Sequence, residues 1–434
     1  MNILIIGQCT LHWGRMEFGN IGNYYIMEPL IRGLHKSFPN SNIRTTFQMS
    51  DRFCKDEKVS VLPMELYYGF LESDLETAKK EYEIALEFSK TGKLSELTDY
   101  IKAVNESDLI IDFSGDIWGD NADFLGADRF LTGLYKDRTA QLLGKKTAMI
   151  AGSPGPFHPS KKLEFAKEIF QNFDLVTNRE ALSRNVLLKN GFDLTKLKDL
   201  SCPAFLFEPK KNLNLESVHP FLKIKRDYRI LGVILCGWNF TEGPFDKWPR
   251  QDKEYDFLVE PLIEFLNINQ NIKLCLMSHS NGFVPGKEPF ELIHGRDYPI
   301  AKQLQKILEQ KGFRDRLFCL DGVYDAWTTK TIIGSFDMLI SGRVHAAVAG
   351  FSQFVPTVVI DYGHEPKAHK LKGFANEAGM IKMVAEPDRK GDIFNKLSKC
   401  YKDLDQIKAE LIKNIPTVKE KANQNFELLK QLFK

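Results

Sequence analysis

The stretch DMLISGRVHAAVAG, residues 337–350, decides how the rest of the chain is read. Met338 to Ser341 is an apolar run too short for a helix and closed by Gly342, the pattern of a strand buried inside a sheet. Ala346, Ala347, Ala349 and Gly350 then open a helix whose small residues let it press closely on that sheet. The same order of strand, loop and helix recurs on both sides. Strands are expected at Asn2–Ile6, Ile43–Met49, Asp108–Phe113, Lys146–Ala151 and Asp174–Thr177, with helical patterns between them. After the charged stretch Glu208–Asp227 a second series follows at Ile230–Leu235, Ile272–Ser278, Leu317–Leu320, Met338–Ser341 and Thr357–Ile360. This alternation predicts parallel sheets wrapped by helices, an α/β fold with two Rossmann-like lobes over 1–215 and 216–400. A helical segment over 401–434 ends the chain, and Thr417 and Glu420, spaced as a capping box after Pro416, predict that a helix restarts there. By analogy with other two-lobed α/β proteins, that segment is expected to cross back and brace the first lobe.

Composition narrows the partners. The 434 residues hold 59 Lys and Arg against 57 Asp and Glu, a formal charge of +2, which offers no basic surplus for nucleic acid. At 43% hydrophobic and 27% charged the chain is an ordinary folded one, long enough for two or three domains. Its seven cysteines are scattered without a Cys-x-x-Cys pair, which fits a reducing compartment and no zinc site. The apolar run Ile3–Ile6 has no basic flank and reads as a strand rather than a signal peptide. No run reaches the roughly 18 to 20 apolar residues of a membrane span, so the expected address is the cytoplasm, with peripheral visits to a membrane left open.

In open α/β sheets ligands bind outside the carboxyl ends of the strands, so the loops that follow strands carry the candidates. After the first strand, Gly19, Asn20, Gly22 and Asn23 precede a helical stripe of Ile26, Leu30 and Leu34. Backbone N–H groups there are placed to meet an anion, or the segment is a glycine-rich turn and nothing more. After the strand LIIDF come Gly115, Asp116, Trp118, Gly119 and Asp120; carboxylates accept sugar hydroxyls and an indole stacks on a pyranose, while metal binding by Asp116 and Asp120 is the rival use. Thr177 and Glu180 are spaced as a capping box, which would put Arg179 in the first turn of a helix against the dipole, in place for a phosphate or carboxylate or simply paired with Glu180 or Asp174. The fourth loop is Ser341-Gly342-Arg343-Val344-His345. If Arg343 and Val344 stay extended, the cation and the imidazole point the same way, whereas in a helix they would diverge by about 200°. His279 and His158 also follow strands, without an arginine at close spacing.

Taken together, Gly19-Asn20-Ile21-Gly22-Asn23, DLIIDFSGDIWGD, AGSPGP at 151–156, TNREALSRNVLLKNG and SGRVHAAVAGFSQFVPTVVIDYGHEPKAHKLKGF resemble the polysaccharide pyruvyl transferase family. The last segment is the most specific, with Ser/Gly-Arg-x-His-Ala, a proline some ten residues on, then Tyr362 and Lys367; Asn23, Asp116 and Glu180 depart from the usual pattern. The resemblance implies two lobes facing a central cleft as in GT-B glycosyltransferases. It implies transfer of a pyruvyl group from phosphoenolpyruvate to two hydroxyls of one sugar, in a polysaccharide or its lipid-linked precursor, giving a cyclic ketal and phosphate. Arg343 and Arg179, with Gly22 and Asn23, would hold the donor. His345 would act as the acid, with His279 or His158 as alternatives. Gly115, Asp116, Trp118, Tyr362 and Lys367 would meet the acceptor. No cofactor or metal is required beyond the donor itself. The rival readings are a GT-B glycosyltransferase using a nucleotide sugar, with Asp361 or Glu365 as its acidic contact, and a non-catalytic carbohydrate-binding protein.

Overall fold

The structure, a computed structural model, describes residues 1–8, 19–223, 226–240, 247–283, 292–362 and 370–434. The chain divides into two compact units, one of Met1–Gly14, Glu28–Pro203 and Glu420–Lys434, the other of Arg15–Met27 and Ala204–Lys419.

The first unit is built on a seven-stranded parallel sheet of β1 (Asn2–Ile6), β2 (Asn42–Thr45), β3 (Val59–Val61), β4 (Leu109–Asp112), β5 (Lys146–Gly152), β6 (Leu175–Asn178) and β7 (Leu197–Asp199), in the order β3-β2-β1-β4-β5-β6-β7. Ile3 to Ile6 and Leu109 to Ile111 are buried, as central strands covered on both faces must be. The second unit carries β8 (Arg229–Ile234), β9 (Ile272–Leu276), β12 (Leu317–Cys319), β13 (Met338–Ser341), β14 (Thr357–Ile360) and β15 (Val384–Ala385) in the parallel order β12-β9-β8-β13-β14-β15. A separate antiparallel pair joins β10 (Gly282–Phe283) to β11 (Leu292–Ile293). Counted along its own sheet, each large sheet runs third, second, first, fourth, fifth, sixth, with a seventh strand added at the end of the first, the doubly wound order expected of a Rossmann-like lobe. The order reverses between β1 and β4 in one unit and between β8 and β13 in the other, and there the crevice at the strand ends opens.

The α/β class and its two lobes are as the sequence predicts. Edge strands β3, β7 and β15 went unread because they span only three, three and two residues, too few to show a pattern. The boundaries differ from 1–215, 216–400 and 401–434. Residues 15–27 group with the second unit, the break falls at Pro203, and the C-terminal segment is shared. Its helix does not restart at Thr417: Leu404–Gln431 is one helix with Pro416 inside it. The reason is a buried stripe, Ile407, Leu411, Ile415, Val418, Ala422, Phe426 and Leu429, which keeps helical spacing straight through the proline, so packing outweighs the missing hydrogen bond. The last turns brace the first unit. There Phe426 lies on Gly33, the Thr177 hydroxyl donates to Asn425 Oδ1 at 2.6 Å, and the Asn425 amide donates to the Ser201 carbonyl.

Candidate functional site

The second unit gathers the sharpest chemistry at its switch point. Ser341 ends β13, Arg343 is extended at φ −116°, ψ 130°, and the helix Val344–Ser352 starts one residue later. The Ser341 hydroxyl accepts the Arg343 N–H at 3.1 Å and donates to the Arg343 carbonyl at 2.9 Å, which fixes the turn. Arg343 therefore holds the extended conformation expected of it, while Val344 is already helical.

Arg343 is gripped bidentately by Asp297, its Nε donating to Oδ2 and its Nη2 to Oδ1. Asp297 is 1% exposed and opens the helix Asp297–Leu308. Burial pushes its carboxyl pKa up, and Arg343 together with the His279 N–H, which donates to Asp297 Oδ2 at 3.2 Å, pulls it back. Two charges so close and so well aligned form an ion pair. Asp297 occupies Nε and one hydrogen of Nη2, and no hydrogen bond from Nη1 to a described residue is found. No signal in the sequence marked Asp297, which lies 46 residues before Arg343.

His345 meets the glycine-rich loop. A Cβ built on Gly22 would lie 2.5 Å from His345 Nδ1 and 2.8 Å from its Cβ and Cγ, so the imidazole rests directly on the backbone of residue 22. Gly22 belongs to the first turn of the helix Ile21–Ser37, whose amides point to its N-terminal end. The loop is pinned in place: the Asn23 N–H donates to the Asn20 carbonyl at 2.9 Å, the Asn281 N–H to the Gly19 carbonyl at 2.7 Å, and Asn20 bridges to Ser280. Phe374 packs edge-on to the His345 ring at 5.9 Å. Gly22, Asn23, Arg343 and His345, named from separate stretches of sequence, thus share one neighbourhood.

His279 is there too, enclosed by the same loops. It is 1% exposed, its ring lies 5.4 Å from that of Tyr25, and burial, then the charges of Arg343 and His345, hold its pKa well below the ordinary 6.5. Burial therefore disfavours the charged imidazolium at His279. Tyr362, following β14, is buried and its hydroxyl lies 4.0 Å from Cys236 Sγ, while Lys367 and Glu365 lie outside the described residues. Asp361 is ion-paired with Lys372 at 2.9 Å.

In the first unit the candidates fall into two groups. Arg179 is buried, its Nε donates to the Ser153 hydroxyl at 2.9 Å, and its Nη2 lies 3.6 Å from Asp116. Gly115 sits against it in the left-handed region at φ +60°, where a side chain would be strained and would approach Arg179 Nη1. Ser153 reaches the guanidinium because β5 shifts register between Met149 and Gly152, with Ala151 turned to φ +52°. The expected capping box is absent. The helix begins at Leu182, so Arg179 precedes it rather than lying in its first turn. Thr177 instead accepts the Ala151 N–H, and Glu180 accepts the Ser183 N–H, with burial raising its carboxyl to about 7.

Trp118 is the clearest correction. It is fully buried among Phe130, Phe157, Phe170 and Phe192, with ring centroids 5.5 to 6.2 Å away, and cannot stack on a sugar. A large aromatic between glycines looks exposed in sequence, but the loop folds inward over the apolar cluster. His158 is exposed and bound through its Nδ1 to Asp120 at 2.7 Å, which Lys162 also contacts. Asp116 and Asp120 are thus both paired with cationic side chains, and among the described residues no group of three His, Cys, Asp or Glu could hold a metal ion. No helix among them is long and apolar enough to cross a membrane.

Comparison with solved structures places this architecture in the GT-B class. The chain is similar to a glycosyltransferase from Rickettsia africae (TM-score 0.60, 11% identity, 100% of this chain and 98% of that one). It is likewise similar to HepE of Anabaena in complex with UDP-glucose (TM-score 0.55, 14% identity, 99% and 100%). Within that class the chain belongs to the polysaccharide pyruvyl transferase family, whose model matches residues 20–364. The amylovoran biosynthesis protein AmsJ of Erwinia amylovora is 21% identical to it over 437 residues, covering 96% of this chain and 95% of its own. The family places the protein among transferases that act on polysaccharide.

Proposed function

We propose that the protein transfers a pyruvyl group from phosphoenolpyruvate to two hydroxyls of one sugar residue in a polysaccharide or its lipid-linked precursor. The observation that carries this reading is the meeting of a helix N-terminus, an arginine oriented by a buried carboxylate and an imidazole at one switch point. Phosphoenolpyruvate is a small trianion, and the Nη1 side of Arg343 with the amides near Gly22 and Asn23 suits its phosphate or carboxylate. His345, in its protonated form, gives a proton to C3, and C2 becomes electrophilic. The first sugar hydroxyl adds to C2 and gives its proton to the imidazole, restoring the acid. The C2–O bond to phosphate then breaks, phosphate leaves with that electron pair, and the second hydroxyl adds to C2 to close the ketal, its proton passing to the departing phosphate. No step calls for a metal or a nucleotide. Arg179, with Ser153, Asp116 and Gly115, is a buried cationic position of the first unit.

The test is a thermal-shift comparison of phosphoenolpyruvate with UDP-sugars, because a ligand that binds only the native state raises the midpoint. Phosphoenolpyruvate stabilises the wild type, and Arg343→Ala loses most of that shift. A midpoint raised by UDP-sugars and not by phosphoenolpyruvate would replace this reading with glycosyl transfer, and an undiminished shift in Arg343→Ala would remove Arg343 from the donor site.

A further inference from the structure

A cavity of about 280 Å³ opens in the second unit, lined by Asn239, Lys253, Glu254, Phe257, Tyr362 and Asp388. It lies beyond the carboxyl ends of β8 and β14, which Asn239 and Tyr362 follow, and so on the ligand side of the sheet. It also adjoins the Arg343 loop. The Asn239 amide lies against Gly342, where a Cβ would meet its Oδ1 at 1.9 Å, and Cys236 Sγ donates to the Gly342 carbonyl at 3.3 Å while approaching the Tyr362 hydroxyl.

We propose that this cavity is the subsite for one pyranose ring of the acceptor; the inference rests on the reading above and gives its acceptor a place. Three features support a sugar over other occupants. Phe257 and Tyr362 supply aromatic surface, which suits the C–H faces of a pyranose. Asn239, Glu254, Asp388 and Lys253 supply acceptors and donors for hydroxyls within the same small space. With Arg250 paired to Glu254, and Lys253 set against Asp388, the lining offers no cationic surplus to a diphosphate.

The walls are preorganised. Asn239 accepts the Cys236 N–H at 2.9 Å and donates to the Ile360 carbonyl at 3.4 Å, tying the loop after β8 to the end of β14. Glu254 accepts from the Gln251 N–H and from Arg250, whose guanidinium lies 4.1 Å over the Phe240 ring, and Phe240 in turn packs edge-on to Phe257 at 5.5 Å. A rigid polar and aromatic cup loses little entropy on binding, the condition a weakly binding sugar needs.

The test is saturation-transfer NMR on the full chain with methyl pyranosides of gluco, galacto and manno configuration, and with UDP as a competitor. At least one pyranoside should show transfer in the wild type. Phe257→Ala should weaken it about tenfold, the scale of one aromatic contact. Phe257→Leu, which keeps the bulk beside Phe240, should weaken it similarly if the larger truncation fails to fold. The shift produced by phosphoenolpyruvate should be unchanged in both. Absence of transfer from every pyranoside, equal transfer in wild type and variants, or displacement by UDP would overturn the proposal. Pyranoside binding that depends on Phe257 without any response to phosphoenolpyruvate would leave the subsite standing and remove the pyruvyl reading instead.

Discussion

Gly22→Ala tests the site without removing any charged or titratable group. The new methyl carbon would start 2.5 Å from His345 Nδ1, and an ordinary carbon contact is about 3.5 to 4 Å, so the imidazole must retreat by roughly 1 Å. Backbone geometry does not oppose the change, because residue 22 lies in a helix, where Ala is better than Gly by roughly 0.5 to 1 kcal/mol. Turning the imidazole relieves Nδ1 but not His345 Cβ, which the new methyl would meet at 2.8 Å, so backbone must give as well; overpacking of that kind costs about 1 to 3 kcal/mol, partly offset by the helix gain, and the melting midpoint should fall by a few degrees. Catalysis has no such compensation. A proton donor misplaced by about 1 Å is expected to slow turnover about 10²-fold, or about 2.7 kcal/mol of barrier. Phosphate release from phosphoenolpyruvate in the presence of the saccharide acceptor reads the rate, and a thermal scan of the same sample reads the fold. Wild-type turnover in Gly22→Ala would refute the claim that the imidazole acts from its position on the loop.

Three further expectations bear on the same cluster and on the core. Asp297→Ala leaves Arg343 buried without its counter-ion and should cost about 3 to 5 kcal/mol, while Asp297→Leu with Arg343→Met should recover most of it; equal losses in thermal or urea unfolding would show that the pair is not coupled. His279 has a depressed pKa in the folded state, so the unfolded chain binds the extra proton and stability should fall as pH drops below about 6.5. His279→Gln should flatten that slope between pH 7 and 5, and an unchanged slope in midpoint against pH would assign the effect elsewhere. Trp118→Ala should destabilise by about 3 to 5 kcal/mol through the cavity it leaves, whereas Trp118→Phe should retain saccharide binding; loss of saccharide transfer in a fully folded Trp118→Phe would return the indole to the acceptor site.

What the sequence made legible was the part that periodicity and local order carry. Central strands such as Met338–Ser341 and Asn2–Ile6 are read correctly because burial on both faces leaves an unmistakable apolar run, and the loops after them then follow from topology. Local spacing misled where tertiary packing decides. Thr177 and Glu180 have the spacing of a capping box, yet Thr177 hydrogen-bonds to Ala151 and Asn425 instead, and Pro416 fails to break a helix whose buried stripe runs through it. Trp118 was misplaced for the same reason, since nothing in a glycine-rich segment says which way the loop will fold.

Asp297 shows the remaining limit most plainly, and shows what the fold adds to the chemistry. Arg343 alone reads as an anion ligand, but a flexible guanidinium next to a histidine has no fixed direction. The order of the second sheet puts β13 beside β8 and β8 beside β9, so the loops after β9 and β13 end near one switch point. Asp297 and His279 arrive there from the β9 side and Arg343 and His345 from the β13 side. The carboxylate then takes Nε and part of Nη2 and so fixes the plane and direction of the guanidinium. Gly22 supplies a surface on which only a residue without a side chain lets the imidazole of His345 rest. Positioning by Asp297 and spacing by Gly22 are therefore as much part of the proposed site as Arg343 and His345, although only topology, not residue type or spacing, could have revealed the carboxylate.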